Sequence, residues 1–309
     1  VLASIFAPIV VVAAGFVFLV SAAGSSPFDS ARLYVNPDSQ AVSAAQNPTG
    51  DDDLVHRIAA TPTAIWLTPE EYGSGRVGPY VASVVADAAS TQAVPVFVVY
   101  GIPDRDCGSF SAGGLSASQY PGWVREIAAA VGDSRSVVIV EPDALALANE
   151  CPDEDERVLT VSRAVEAFSA TAAWVYLDGG HSNWRSPEDM AALLDRAGVG
   201  KVRGFATNVS NFNTTESERA YAEELSALVG GAHYVIDTSR NGAGANGEWC
   251  NPSGRALGDT PLSEATTGAM DANLWIKAPG ESDGTCNGGP PAGQWWQEAA
   301  VALAREAGW

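Results

Sequence analysis

Val98-Val99-Tyr100-Gly101-Ile102-Pro103-Asp104-Arg105-Asp106-Cys107 and Val137-Val138-Ile139-Val140-Glu141-Pro142-Asp143-Ala144-Leu145 are the two stretches whose reading decides the architecture. In each, a run of β-branched residues reads as a buried strand. Each run ends in a Pro-containing turn that carries acids. A carboxylate just past a buried strand costs desolvation energy unless something uses it. Two of them, on successive strands, suggest paired carboxylates for acid/base work on one substrate.

Outward from these stretches, strand-like and helix-like segments alternate. Strands are expected at Leu33–Val35, Ala64–Leu67, Val94–Tyr100, Val137–Glu141, Ala173–Leu177, Val202–Thr207, His233–Ile236 and Asn273–Ile276. Helices are expected at Asp51–Ala60, Gly78–Ala89, Ser118–Ala130, Glu154–Ala170, Pro187–Arg196, Glu216–Leu228 and Gly293–Ala307, with starts at Ser186-Pro187-Glu188 and Thr214-Thr215-Glu216. Such alternation predicts right-handed βαβ units and a parallel sheet. Eight units without a linker give an α/β fold, a distorted parallel β/α barrel of TIM type, irregular at its first and last strands. Polar groups crowd behind the strands: Tyr100 and Asp106, then Asp143, Asp178 and His181, Asn208 and Asn211, Asp237 and Arg240, and lastly Lys277, Glu281 and Asp283. In a β/α barrel all strand C-termini lie on one face, which holds the active site.

Composition narrows the partners. The 309 residues carry 17 Lys+Arg against 37 Asp+Glu, a net charge of −20, which disfavours nucleic acid and anionic membranes and suits a neutral partner. Residues 1–26 read as an export signal or signal anchor with a short linker, because Val1 to Ala23 are uncharged and strongly apolar. Cleavage is expected near Ala22 or Ala23, and membrane association only if the segment is retained. Residues 27–309 then form one catalytic domain outside the cytoplasm, expected to be monomeric. Export suits disulfides, and Cys107, Cys151, Cys250 and Cys286 allow three pairings. No Cys-x-x-Cys pair is present and His occurs only at 56, 181 and 233, so neither a metal nor another cofactor is expected.

Pro142 fixes the turn before Asp143, and the strand buries what lies behind it. That setting keeps an acid protonated near neutrality. The competing reading is a cap on a helix beginning at Ala144. Asp106 is either a second carboxylate coupled to Asp143 or an ion-pair partner of Arg105. In Asp178-Gly179-Gly180-His181-Ser182-Asn183-Trp184, the glycines allow close approach, Trp184 offers a stacking face or a core ring, and His181 orders the loops around it. Gly242-Ala243-Gly244-Ala245-Asn246-Gly247 fits a dinucleotide fingerprint by chance, with neither a strand running into it nor a helix after it. Asn208-Val209-Ser210 and Asn213-Thr214-Thr215 fit the glycosylation pattern, a short motif that chance often produces.

Tyr100–Cys107 with Gly114, Val137–Ala146, Asp178-x-Gly-His181, Ala206–Asn211, Trp249-Cys250-Asn251 and Lys277-x-x-Gly280-Glu281-x-Asp283-Gly284 together resemble glycoside hydrolase family six, over roughly Phe28 to the C-terminus. The resemblance implies an inverting β-1,4-glucanase, a cellulase. It implies Asp143 as general acid, Asp106 as support for its pKa, Tyr100 pressing on the cleaved sugar, and Asp283 as base, directly or through water. It places Asp178 in the same subsite and Lys277, Glu281 and Trp249 on the substrate; His181, Trp184, Asn208 and Asn211 are further candidate substrate contacts. It pairs Cys107 with Cys151 and Cys250 with Cys286. A serine that holds water in some relatives falls at Ala112, beside Ser111. Processive relatives roof the substrate with two long loops, after Asn208–Asn211 and after Asp283–Thr285. Both stretches are short here, so an open cleft and endo action are expected. An exo-acting cellobiohydrolase is the alternative, and a non-catalytic glucan-binding protein would have lost the acids. Inversion leaves room for a water between carboxyls roughly 6.5–9.5 Å apart.

Overall fold

The computed structural model describes residues 26–29, 31–47, 52–109, 111–264, 266 and 268–309. The expected export segment therefore lies almost wholly outside the described residues. Nine strands and eight α-helices are described: β1 (Arg32–Leu33), α1 (Gln40–Gln46), α2 (Asp52–Ala60), β2 (Ile65–Leu67), α3 (Val77–Ser90), β3 (Ala93–Val94), β4 (Val96–Val99), α4 (Tyr120–Val131), β5 (Val137–Val140), α5 (Glu154–Phe168), β6 (Trp174–Asp178), α6 (Pro187–Ala197), β7 (Gly204–Thr207), α7 (Thr215–Leu228), β8 (His233–Asp237), β9 (Met270–Leu274) and α8 (Gln297–Glu306). Seven strands form one parallel sheet in the order β2-β4-β5-β6-β7-β8-β9. The sheet curls with helices packed outside it, a distorted TIM-like barrel.

Two departures from the eight expected strands have local causes. Pro95 has no N–H to give the ladder and splits the expected Val94–Tyr100 strand into β3 and β4. β3 pairs with β1 in a separate two-stranded sheet, so the first expected strand never joins the barrel. The last strand starts at Met270 rather than Asn273, and its register with β8 slips between Tyr234 and Val235. The seam between β2 and β9 is bridged instead by Ala64 N–H to Trp275 O at 2.9 Å and Trp66 Nε1–H to Ile276 O at 2.9 Å.

Alternation along the strands explains why they are apolar throughout. Val98, Ile139, Tyr176, Ala206, Val235 and Leu274 pack inside the curl. Their neighbours Phe97, Val99, Val138, Val140, Leu177 and Phe205 pack against the helices. Ser186 and Thr214 cap α6 and α7 by accepting the N–H of Asp189 and Ser217.

Three buried carboxylates bind the strand ends together. Glu141, after β5, accepts from the N–H groups of Gly101 and Ile102 after β4 and from Tyr120 Oη–H at 2.8 Å. Gly101 must be glycine there, since a Cβ would lie 2.8 Å from the Trp123 ring. Asp178, ending β6, accepts from Asp143 N–H at 2.9 Å and Gly180 N–H at 3.2 Å. Asp237, ending β8, accepts from the N–H groups of Ser210, Ser239, Ile276 and Lys277 at 3.0–3.1 Å. Disulfides Cys107–Cys151 and Cys250–Cys286, the pairing the resemblance implies, link the same pairs of neighbouring loops. Asp237→Ala should lower the unfolding free energy by at least about 3 kcal/mol, because several buried N–H groups lose their acceptor together; urea denaturation followed by circular dichroism measures it.

Candidate active site

The catalytic-face loops enclose a cleft of about 1840 Å³. Tyr100, Asp106, Asp143, His181, Trp184 and Asn211 line it, as do Trp249, Lys277, Glu281 and Asp283. Two predicted site residues lie elsewhere. Asp178 is buried behind Asp143, and Asn208 is fully buried, its side chain bonded to the carbonyls of Asn213 and Asp237 and to Asn213 N–H. The expected substrate contact at Asn208 is therefore corrected to a brace of the 208–213 turn. Asn213 is also buried, so neither glycosylation motif presents its asparagine in this fold.

Asp143 has φ +68° and Glu141 φ +48°, left-handed conformations that cost energy in any residue but glycine. The turn is held by Ala144 N–H to Glu141 O at 3.2 Å and Leu147 N–H to Asp143 O at 2.8 Å. The chain then runs through successive turns until α5, so no helix begins at Ala144 and the capping role is not realised. Burial, then the charges of Asp178, Asp106 and Asp283, push the Asp143 carboxyl well above the usual range. Burial, opposed by the N–H groups of Asp143 and Gly180, takes Asp178 up to about 7, with Glu218 adding repulsion.

Asp106 does not pair with Arg105. It accepts a 2.7 Å hydrogen bond from Tyr100 Oη, whose own proton is secured by burial and by the charges of Asp143 and Asp106. Arg105 is buried instead as a wedge under the loop. Its guanidinium lies 4.6 Å from the Tyr100 ring centroid and bonds to Tyr100 O, Ser111 O and, through both Nη atoms, Glu70. Ala112 and Ser111 lie on the cleft wall.

Asp283 is gripped from two sides. Arg240 Nη1 lies 2.9 and 3.0 Å from its two oxygens, and Asn251 N–H donates to Oδ2 at 3.0 Å. Arg240 Nη2 also donates to Ser210 O, tying the loop after β7 to the pair. Arg240 follows a strand in the sequence, but its partner lies 43 residues away, beyond the reach of local pattern.

Trp66 was missed as a site residue. It interrupts the apolar Ile65-Trp66-Leu67 strand with a ring that faces the cleft, edge-on to Tyr100 at 5.1 Å. Lys277 Nζ sits 5.5 Å from its centroid and 3.8 Å from Glu281 Oε2. A Trp in the middle of a three-residue apolar strand was the available signal. His181 is kept neutral by burial, which lowers its pKa to about 4, and its Nδ1 accepts Asn183 N–H at 3.2 Å. That bond fixes the ring over its own turn, and the ring also lines the cleft. Trp184 packs one part against the core and lines the cleft with another. Trp249 is 53% exposed. Among the described residues no group of acids, histidines and cysteines could hold a metal ion, and no helix is long and apolar enough to cross a membrane.

The sequence profile of Glycosyl hydrolases family 6 matches residues 28–307. The endoglucanase Cel6 from Mycobacterium tuberculosis, solved in complex with a methyl-cellobiosyl-4-deoxy-4-thio-β-D-cellobioside, superposes with a TM-score of 0.89 at 46% identity, over 92% of this chain and 100% of that one. Endoglucanase A of Cellulomonas fimi is 44% identical over 92% of this chain and 63% of its own length. Endoglucanase 1 of Streptomyces halstedii is 40% identical over 88% of each. The chain thus spans about 60–63% of the length of the two endoglucanase A relatives from Cellulomonas fimi and Thermobispora bispora. The chain belongs to glycosyl hydrolase family 6.

Asp178→Asn keeps an acceptor for both backbone N–H groups but removes a negative charge beside Asp143. The Asp143 pKa should fall, so the acid loses its proton sooner as pH rises. The high-pH limb of the kcat/KM profile should therefore move to lower pH, which rate measurements on a soluble β-glucan across pH 5–9 will read.

Proposed function

We propose that this chain is an inverting endo-β-1,4-glucanase, acting outside the cytoplasm on cellulose or a related glucan. The observation that carries this reading is Asp143, an acid on a strained turn within a long cleft, its proton retained by burial and by three neighbouring aspartates. A glycosidic oxygen needs a proton as the bond to the anomeric carbon breaks, and an acid that is still protonated near neutrality can deliver it. Family membership and the cello-oligosaccharide in the Mycobacterium tuberculosis relative support a β-1,4-glucan as substrate. Trp66, Trp184 and Trp249 give aromatic faces for sugar rings, and Lys277 and Glu281 give charged partners for hydroxyls. The two disulfides and the net charge of −20 support a place outside the cell.

In this reading Asp143 gives its proton to the leaving oxygen. Asp106 and Asp178 sustain its pKa through their charge. Tyr100, anchored by Asp106 and backed by Arg105, presses on the ring being cleaved. A water attacks the anomeric carbon from the opposite face, which inverts the configuration. Asp283 has its oxygens engaged by Arg240 and Asn251, so we assign it proton uptake through a water rather than direct contact with the nucleophile. The endo reading rests on the two short connections. Asn211 leads directly into α7 at Thr215, and the turn Cys286–Gly288 leads to α8 at Gln297. The exo alternative has support from probable cellobiohydrolases such as that of Aspergillus fumigatus, 29% identical.

One time course on carboxymethylcellulose tests the endo and inverting readings together. Viscosity should collapse before many reducing ends form, and the first product seen by NMR should be the α-anomer. Slow viscosity loss with cellobiose from the outset would make the enzyme exo-acting; a β-anomer first would make it retaining.

Asp143→Asn keeps the shape of the acid but cannot deliver a proton. It should cost ~10²–10⁴-fold in kcat, with cellohexaose binding by calorimetry nearly unchanged and partial recovery on a substrate with an activated leaving group. Near wild-type turnover of cellulose by this variant would remove Asp143 from the acid role.

A further inference from the structure

The open seam between β2 and β9 leaves the loop after β9 without a flanking barrel strand. That loop carries Lys277, Glu281, Asp283 and Trp295, and its two arms meet in an isolated antiparallel bridge between Glu281 and Trp295. One side chain from the far end of the sequence spans this bridge. Gln40 opens α1, whose start is fixed by Ser39 Oγ accepting Val42 N–H at 3.2 Å. Its Nε2 donates to Glu281 Oε1 at 3.1 Å and to Gly293 O at 2.7 Å, while its Oε1 accepts Trp295 N–H at 3.0 Å. The amide presents a donor and an acceptor side by side, a set that neither an ionised Glu nor a Lys reproduces. With Oε1 of Glu281 held by Gln40, Oε2 is left facing Lys277 at 3.8 Å.

We propose that Gln40 is a positioning residue of the glucan site: it clips the N-terminal arm across the open seam and fixes Glu281 and the Trp295 arm as the wall against which a sugar ring binds. This rests on the glucanase reading above, and acts through Glu281 rather than on the reacting atoms. A wall held by Gln40 sets affinity for the glucan chain while leaving proton delivery at Asp143 untouched, so its loss shows as weaker binding with turnover preserved.

The test uses Gln40→Leu, which fills similar space without hydrogen bonds, and Gln40→Glu, which keeps the Trp295 acceptor but sets a carboxylate against Glu281. KM and kcat on a soluble β-glucan are measured from pH 5 to 8, with thermal melting alongside; cellohexaose Kd is measured by calorimetry in the Asp143→Asn background. Gln40→Leu should raise KM and Kd about 3–10-fold, the scale of about one net hydrogen bond, since the bonds it loses are solvent-exposed, with kcat within about twofold of wild type. For Gln40→Glu the loss should deepen as pH rises and the new carboxylate and Glu281 both ionise. Lys277 and Arg240 are the cations and Glu71 the other anion acting on Glu281. A merely structural clip would lower the melting temperature of both variants without this pH-dependent KM. The proposal is overturned if both variants fold with wild-type KM and Kd, if kcat falls while KM holds, or if the Gln40→Glu defect is flat in pH. Absence of cellohexaose binding by the Asp143→Asn protein with Gln40 intact would instead strike the glucanase reading, and the proposal would fall with it.

Discussion

Backbone amides at the C-terminal ends of parallel strands need acceptors, and in this chain buried carboxylates supply them. Glu141 takes the amides that follow β4, Asp178 the amide of Asp143, and Asp237 four amides around β7, β8 and β9. Apart from the Ser239 bond, each joins the end of one strand to a loop leaving its neighbour. A buried carboxylate is costly alone, and convergent N–H groups offset that cost. The bonds thereby hold the catalytic-face loops in one arrangement, including the left-handed turns at Glu141 and Asp143. The two disulfides reinforce the same loops from outside.

These carboxylates also shape the electrostatics of the site. Burial raises Glu141 to about 7 and Asp178 to about 7, despite the hydrogen bonds that favour their ionised forms. Asp178 faces Asp143 through the same bond that fixes its backbone, so the group that positions the acid also raises its pKa. Across the cleft the opposite arrangement holds. Arg240 and Asn251 surround Asp283 with donors, whereas Asp143 has acids for neighbours. Asp143 is thus set to hold a proton, while Asp283 is fixed in place by its donors.

The open seam has a complementary effect. Because β1 pairs with β3 rather than entering the barrel, the last strand and its loop are held by groups from α1 and from β2 and its lead-in. Trp66, Gln40 and Ala64 all reach across to the segment after β9. The cleft wall at Lys277 and Glu281 is therefore assembled from both ends of the chain.

Sequence alone determined the parallel α/β architecture, since β-branched runs alternating with capped amphipathic segments allow little else. It also placed the acids at the strand ends, because a carboxylate or a proline after Val137–Val140 or Val96–Val99 stands out against apolar neighbours. It could not show that Pro95 splits the Val94–Tyr100 run in two, because a proline's effect depends on which strand would have needed its N–H. Nor could it separate the buried brace Asn208 from the cleft residue Asn211, two asparagines three positions apart in one turn. Arg105 stood next to Asp106 in sequence yet pairs with Glu70, and Gln40 meets Glu281 across the whole length of the chain. Local pattern reports burial and period, which neighbouring residues share. Hydrogen-bond partners are chosen by three-dimensional proximity and by the need of every buried donor for an acceptor, and only the folded chain decides those.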